Sequence, residues 1–505
     1  MRSNIVIKNL KWGLVYQFIN MFMGFITPRF IMVVYGSEIN GLQNSIMQII
    51  NIIVLLQAGV TSASVFLMYK PLAEERYTDV SELLYSAVLY FRKIAMIFFV
   101  IMLIAATIFT VTMNSSLERY EVFISFLILG LKSTMDILLV SRYLIIFTAD
   151  QNKYIISIAN ILEKVVYYVL LFVIISMKFY FVFMYLGLVI GTLAKIVLYK
   201  SIYNKMYKDK LKIDKKNFRQ REITGKNHSM MNEVSHTVVV SSIMIIVSSL
   251  YDLKAASVCS VYYLVISLFT TIDVVIYESF SSSFGHLVAE GNDKKINFVF
   301  AVFQLGFNML NTFLYMCAAY LIVPFIQIYT KGVTDVDYQN YFLAVMIIIF
   351  GIMYTYRIPY NICVSTHGLF SQTSTQPVVC CIVSIVVSIL LGKMRMELVI
   401  MGPILFYIVN YLYQIIKLKK LLPSMDFDHP IKQFLASIGC IVFSLLFAVY
   451  VPLNNIGIIK WILTAIITCG ICGMIVVVTF LSINHERFIE AVNYAMSIVR
   501  RRFKR

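Results

Sequence analysis

The sequence predicts an all-α polytopic membrane protein of about fourteen transmembrane helices, and three observations carry that expectation. Of the 505 residues, 60% are apolar and 14% are charged, too little polar surface for a soluble chain of this length. Apolar runs of about 20 to 30 residues recur from end to end, each long enough to cross roughly 30 Å of hydrocarbon as a helix. These runs lack the apolar–polar alternation of membrane-barrel strands, and in lipid a helix satisfies its own backbone hydrogen bonds.

The predicted spans lie near 12–35, 41–69, 88–112, 121–147, 153–176 and 179–201, then 230–251, 255–285, 297–328, 340–364, 371–392 and 397–416, and finally 434–453 and 458–482. The first is too long for the apolar part of a signal peptide and lacks a small-residue cleavage site, so it is expected to remain as a span. This division gives a six-helix lobe over 1–203, a basic linker at 204–228 and a second six-helix lobe over 229–420. An extra two-helix unit at 430–483 and a basic tail at 484–505 follow.

Orientation is read from Lys and Arg. With the N-terminus inside, cytoplasmic segments hold about 31 basic residues and the opposite loops about 7, which places both termini in the cytoplasm under the positive-inside rule. In that count the cytoplasmic linker group runs from Lys195 to Lys226, and the tail ends in Arg500-Arg501-Arg502-Phe503-Lys504-Arg505. The formal charge of +17 therefore reads as topology rather than as a nucleic-acid surface.

The two lobes carry faint self-similarity. Tyr35-Gly36 and Tyr251-Asp252 each precede a long span, and these spans end at Leu72-Ala73-Glu74 and Val288-Ala289-Glu290, at an offset of 216. Arg142 and Arg357 are offset by 215. Six helices return the chain to its starting side, so such a repeat would relate two parallel halves.

Ionisable residues within spans cost about 2.5–3.5 kcal/mol each on insertion scales, so each needs a reason. Arg29 follows Pro28; it either snorkels to the outer face or faces a polar interior. Lys132 and Asp136, one turn apart, suit an ion pair that cancels its own burial. Arg142 and Arg357 have no acidic residue three or four positions away; an interior face is expected for both, with three readings open: contact with an anion, since the guanidinium fork matches phosphate oxygens, snorkelling, or an interhelical pair with a carboxylate. Glu163 and Lys164 are adjacent, point about 100° apart and do not pair with each other. Asp273 and Glu278 either carry H⁺ or Na⁺ coupling or neutralise the arginines. The eight cysteines all fall within or beside apolar runs and read as small hydrophobes. The CxxC spacing of Cys469 and Cys472 has no second pair or His cluster near it in sequence.

No Walker-type loop, HExxH or GxSxG is present, and no extramembrane segment is large enough for a soluble active site. An enzyme is not expected, and no cofactor beyond a coupling ion.

The stretch YGSEINGLQNSIMQIINIIVLLQAGVTSASVFLMYKPLAEERY at 35–77, the six, six and two division of spans and the basic linker together resemble the polysaccharide repeat-unit flippases (Wzx type, serving O-antigen, capsule and exopolysaccharide) of the multidrug/oligosaccharidyl-lipid/polysaccharide exporter superfamily. The resemblance implies a V-shaped, two-lobed transporter of the bacterial cytoplasmic membrane, working by alternating access. Its cargo would be an undecaprenyl-pyrophosphate-linked oligosaccharide, moved from the cytoplasmic to the outer leaflet. Basic residues of such cavities meet the pyrophosphate, a role that Arg29, Arg142 and Arg357 could fill here. Membrane lipids and other polysaccharide-assembly membrane proteins are the implied partners. Two alternatives stay open: an ion-coupled drug or cation antiporter of the same superfamily, and a membrane glycosyltransferase or polymerase.

Overall fold

The computed structural model describes residues 2–211, 227–453 except 426 and 428, and 457–490 except 484 and 487. Most of the basic linker and of the basic tail lie outside the described residues. Among the described residues, fourteen helices are long and apolar enough to cross a membrane. They are α1 (Arg2–Tyr35), α2 (Ser37–Ala73), α3 (Tyr77–Thr112), α4 (Arg119–Ala149), α5 (Lys153–Ser176), α6 (Val182–Tyr207) and α7 (Asn227–Leu250). The remainder are α8 (Leu253–Glu290), α9 (Asp293–Tyr329), α10 (Tyr341–Thr366), α11 (Phe370–Gly392), α12 (Met396–Leu421), α13 (Pro430–Tyr450) and α14 (Ile458–Ile483). α2 and α8 begin 216 residues apart, as do α3 and α9, the same offset as the faint sequence repeat.

Packing divides the chain into two compact units, 1–257 and 258–505, so the boundary falls inside α8. In the first unit α1 and α2 are joined by Gly36 alone, at φ +90°, a region that favours glycine. Glu38 then accepts from the Ser115 hydroxyl (2.9 Å) and the Ser116 amide (2.7 Å), tying the α3–α4 loop to the start of α2. Along α3, Val80, Leu84, Ala87, Phe91, Phe98, Met102 and Ala106 are buried at the three- and four-residue spacing of one helix face. Gly130 of α4 makes room for Met102. The single span predicted at 41–69 is one helix with a short 3₁₀ turn at Leu55–Gln57.

In the second unit α9 is the most enclosed of the spans. It carries a buried polar stripe of Gln304, Asn308, Asn311 and Thr312. Asn308 Nδ2 donates to Gln433 Oε1 of α13 (2.8 Å), and the Thr312 and Ser437 hydroxyls are 2.5 Å apart. Ser444 donates to the Met316 carbonyl (2.7 Å), and the Tyr356 hydroxyl bonds Ser437. Between apolar helices in lipid there is no hydrophobic driving force, so hydrogen bonds and close packing hold them. This seam therefore fastens the extra helix pair to α9. α11 and α12 meet where a Cβ on Gly402 would overlap the Ser384 carbonyl and the Ser388 hydroxyl.

That contact gives a stability test. Gly402→Ala is expected to destabilise the purified protein by about 1–3 kcal/mol through overpacking, seen as a lower thermal midpoint in detergent. Gly439→Ala, where no atom lies within 4 Å of the added Cβ, should leave the midpoint unchanged.

Candidate functional site

In the first unit four charged side chains from three helices form one network. α4 runs as an α-helix to Met135, passes through a π segment at Asp136–Val140 and resumes at Ser141. The Ser141 amide reaches back five residues to the Asp136 carbonyl, the signature of a π-bulge, which often marks a functional position. Lys132 Nζ lies 2.6 Å from Asp136 Oδ2 and 3.5 Å from Glu163 Oε1 of α5. Lys195 Nζ of α6 lies 3.0 Å from Asp136 Oδ1 and 2.6 Å from Glu163 Oε2. Thr192 donates to Glu163 Oε1 at 3.0 Å. α6 reaches this position because Gly191 lies against α5: a Cβ there would be 2.7 Å from the Glu163 carbonyl oxygen.

Two lysines and two carboxylates alternate, and the quartet is neutral. Each carboxylate meets both cations, so mutual attraction and hydrogen bonds offset the loss of water. The expected Lys132–Asp136 pair is present, and Glu163 pairs with Lys195 rather than with its neighbour Lys164. Lys195 corrects the sequence reading. Counted there with the cytoplasmic linker, it is only 5% exposed, because Asp136 and Glu163 compensate its charge halfway along α6. Lys164 is partly buried and makes no ion pair among the described residues.

Arg142 in α4 and Arg357 in α10, paired by the sequence offset, have different surroundings. Arg142 lies two residues beyond the π segment and is exposed. Its guanidinium lies 4.4 Å from the centroid of the Tyr143 ring and donates to the Tyr143 hydroxyl. Tyr143 in turn stacks on Tyr199 at 5.4 Å. Arg29, one residue after Pro28 in α1, is also exposed.

Arg357 is 6% exposed. It sits at a break in α10, between the helical pieces Tyr341–Tyr356 and Ile358–Thr366. Pro359, two residues on, has no amide hydrogen to continue the ladder. The Arg357 guanidinium carbon lies 4.7 Å from the Tyr354 ring centroid and 5.4 Å from that of Tyr407 on α12, both within cation–π range. The two rings meet edge to face at 5.2 Å. Arginine suits this setting because its faces stack on aromatic rings while its N–H donors project in the plane of the group.

Asp273 of α8 is fully buried, and Asn311 Nδ2 donates to its Oδ1 at 2.9 Å. Glu278, five residues later, lies on an exposed part of the same helix, so the two carboxylates do not form one site. Cys317 of α9 stands 4.0 Å from Cys469, sulfur to sulfur, so the CxxC segment of α14 does meet another cysteine. Among the described residues no group of His, Cys, Asp or Glu is arranged to hold a metal ion.

Sequence reasoning passed over Lys195, Tyr354, Tyr407 and Asn311. Only Lys195 carried a signal, a lysine four residues after Gly191 within the apolar stretch LVIGTLAKIVLY. The quartet yields a prediction. Lys195→Met leaves two buried carboxylates facing one lysine and is expected to cost about 3–5 kcal/mol. Adding Glu163→Gln, which restores neutrality, should recover most of that loss in thermal unfolding. Equal stability of the single and double variants would show that charge balance is not what holds α4, α5 and α6 together.

The sequence matches no protein-family model and no curated protein. Solved structures do match. An inward-facing multidrug resistance MATE family transporter of the MOP superfamily superposes with a TM-score of 0.67 at 10% identity, covering 80% of this chain and 95% of that one. The lipid II flippase MurJ, in an inward closed conformation, gives 0.62 at 16% identity, over 94% of this chain and 99% of its own. An outward-facing MATE transporter gives 0.57 at 11% identity, over 83% and 96%. The chain has the fold shared by the MATE proteins and MurJ.

Proposed function

We propose that this protein is a flippase for a lipid-linked oligosaccharide whose glycan is joined to a polyprenyl chain by a diphosphate, undecaprenyl-pyrophosphate being the carrier that the family resemblance implies. One observation carries the reading: Arg357, a guanidinium buried in a broken transmembrane helix and framed by Tyr354 and Tyr407. A glycan and its diphosphate cannot enter hydrocarbon, whereas a polyprenyl tail is at home there. The protein needs to shelter only the head group. An arginine fork suits the diphosphate, and tyrosines offer sugars both an apolar face and a hydroxyl. The fold comparison supports the same reading, because the MurJ match extends over more of this chain than the MATE matches do. The excess of basic residues on one side further supports a bacterial cytoplasmic-membrane protein with both termini inside, moving its cargo outward by alternating access.

A second reading, an ion-coupled drug or cation antiporter, is favoured by Asp273, a carboxylate buried without a basic partner among the described residues, and by the MATE neighbours. Proteoliposomes separate the two readings. Arg357→Gln is expected to slow flipping of a polyprenyl-diphosphate oligosaccharide about tenfold or more, the equivalent of one charge-assisted hydrogen bond, at an unchanged protein level in the membrane. Arg142→Gln should have a smaller effect because that residue is exposed. Undiminished flipping by Arg357→Gln would remove the case for this arginine. Export of a lipophilic cation, with no flipping by the wild type, would establish the antiporter.

A further inference from the structure

Four buried amides of the spans donate to neighbours: Asn40 to Ser257, Gln304 to Tyr360, Asn308 to Gln433 and Asn311 to Asp273. Asn410 of α12 departs from this pattern. It is fully buried, yet neither its Nδ2 nor its Oδ1 has a hydrogen-bond partner among the described residues. Gln414 Oε1, one turn farther on, has none either. A primary amide enclosed in this way gives up its hydrogen bonds to water and gains none in return. A leucine of similar volume would fill the place without that cost. Unsatisfied polar groups of this kind call for an explanation and collect at functional positions. An amide with a free donor and a free acceptor is suited to a ligand that offers both.

The place of Asn410 relative to Arg357 follows from the rings on either side. Tyr407 meets Tyr354 at 5.2 Å and Tyr411 meets Tyr360 at 5.4 Å, so α10 and α12 run side by side in the same direction. Asn410 lies between the two contacts on α12, and Arg357 lies between them on α10. The two residues therefore share a depth. Asn410 is also one turn on from Tyr407, about 4.5 Å along the axis and within about 60° of the same face. The Arg357 guanidinium lies against that Tyr407 ring. Of Tyr354, Arg357, Tyr407 and Asn410, Tyr354 is only partly buried, so the group meets its surroundings on that side.

We propose that Asn410 is a specificity residue for the sugar joined directly to the lipid diphosphate, and that it recognises a pair of adjacent hydroxyls on that ring. The inference rests on the diphosphate reading of Arg357 and takes it one group farther along the cargo. A diphosphate seated on Arg357 brings the ring bonded to it to the depth of Asn410. Of two adjacent hydroxyls, one can donate to Oδ1 while the other accepts from Nδ2, so a single ring satisfies both atoms. An acylamino group is a poorer match, because its planar trans amide points N–H and C=O in opposite directions. A lipid without the sugar leaves the amide unpaired, which is how a site built for hydroxyls rejects a cargo that lacks them. Both side chains are enclosed in this structure, and the break in α10 at Arg357, with Pro359 just beyond, is where that helix can bend to admit the ring.

The test measures binding to the full-length protein in nanodiscs of three lipids of one short chain length: a polyprenol, its diphosphate, and the diphosphate carrying a glucose. The wild type should hold the glucosylated lipid about tenfold more tightly than the bare diphosphate, the gain expected of two neutral hydrogen bonds. Asn410→Leu and Asn410→Ala should both lose that gain, the two diphosphate lipids then binding alike, so that neither added bulk nor a cavity accounts for the result. The thermal midpoint of Asn410→Leu should equal or exceed that of the wild type, because no hydrogen bond is broken. A tenfold gain that survives in either variant would overturn the proposal. So would a lowered midpoint with loss of both diphosphate lipids, which would make Asn410 a residue of the fold alone. A wild type that prefers the diphosphate to the polyprenol yet ignores the glucose sinks the sugar site and leaves the diphosphate reading standing. No preference for the diphosphate over the polyprenol sinks both.

Discussion

Hydrocarbon offers a charge no partner, so every ionised group within these spans must be neutralised by the protein itself. That constraint organises the molecule. In the first unit Lys132, Asp136, Glu163 and Lys195 meet it together, as a balanced quartet that joins α4, α5 and α6. A closed, neutral network has little to offer a charged ligand, and its role is to hold three helices in register. In the second unit the solution differs. Arg357 is framed by tyrosine faces, and Asp273 has only the Asn311 amide. The proposed recognition is placed at Arg357, where a buried guanidinium and two aromatic faces stand together.

Neutral polar groups do for helix association what the quartet does for charge. Where α9 meets α13, asparagine, glutamine, threonine and serine pair with one another, so the extra helix pair is fastened by directional bonds. Glycines set the closest approaches. Gly191 lets α6 carry Lys195 to Glu163, and Gly402 brings α12 onto α11. Because these contacts are specific in position, they fix the depth at which each charged side chain sits.

Much of the fold was legible because membrane insertion is read from composition along a short window. Fourteen apolar runs became fourteen helices, and the residues singled out as costly inside spans are where the informative contacts occur. Pairing across helices was less legible. Lys132 and Asp136 are one turn apart, so their bond is visible in one dimension, whereas Lys195 reaches Glu163 from another helix and 32 residues away. The π segment at Asp136–Val140 has no composition of its own to announce it, whereas the break at Arg357 is marked in the sequence by Pro359. Matching sequence positions also suggested equivalent roles for Arg142 and Arg357, but burial depends on the neighbouring helices, and those leave one exposed and enclose the other. The Cys317–Cys469 approach was hidden for the same reason, the two cysteines being 152 residues apart.

Arg357, a buried guanidinium among tyrosines, is proposed to recognise a diphosphate on a lipid. Native mass spectrometry of the full-length protein with polyprenol, polyprenyl monophosphate and polyprenyl diphosphate of one chain length tests it most directly. Retention should rise from the alcohol to the diphosphate, with the preference for the diphosphate lost on replacing Arg357 by glutamine. Equal retention of all three lipids, or a preference for the diphosphate that survives the replacement, would contradict it.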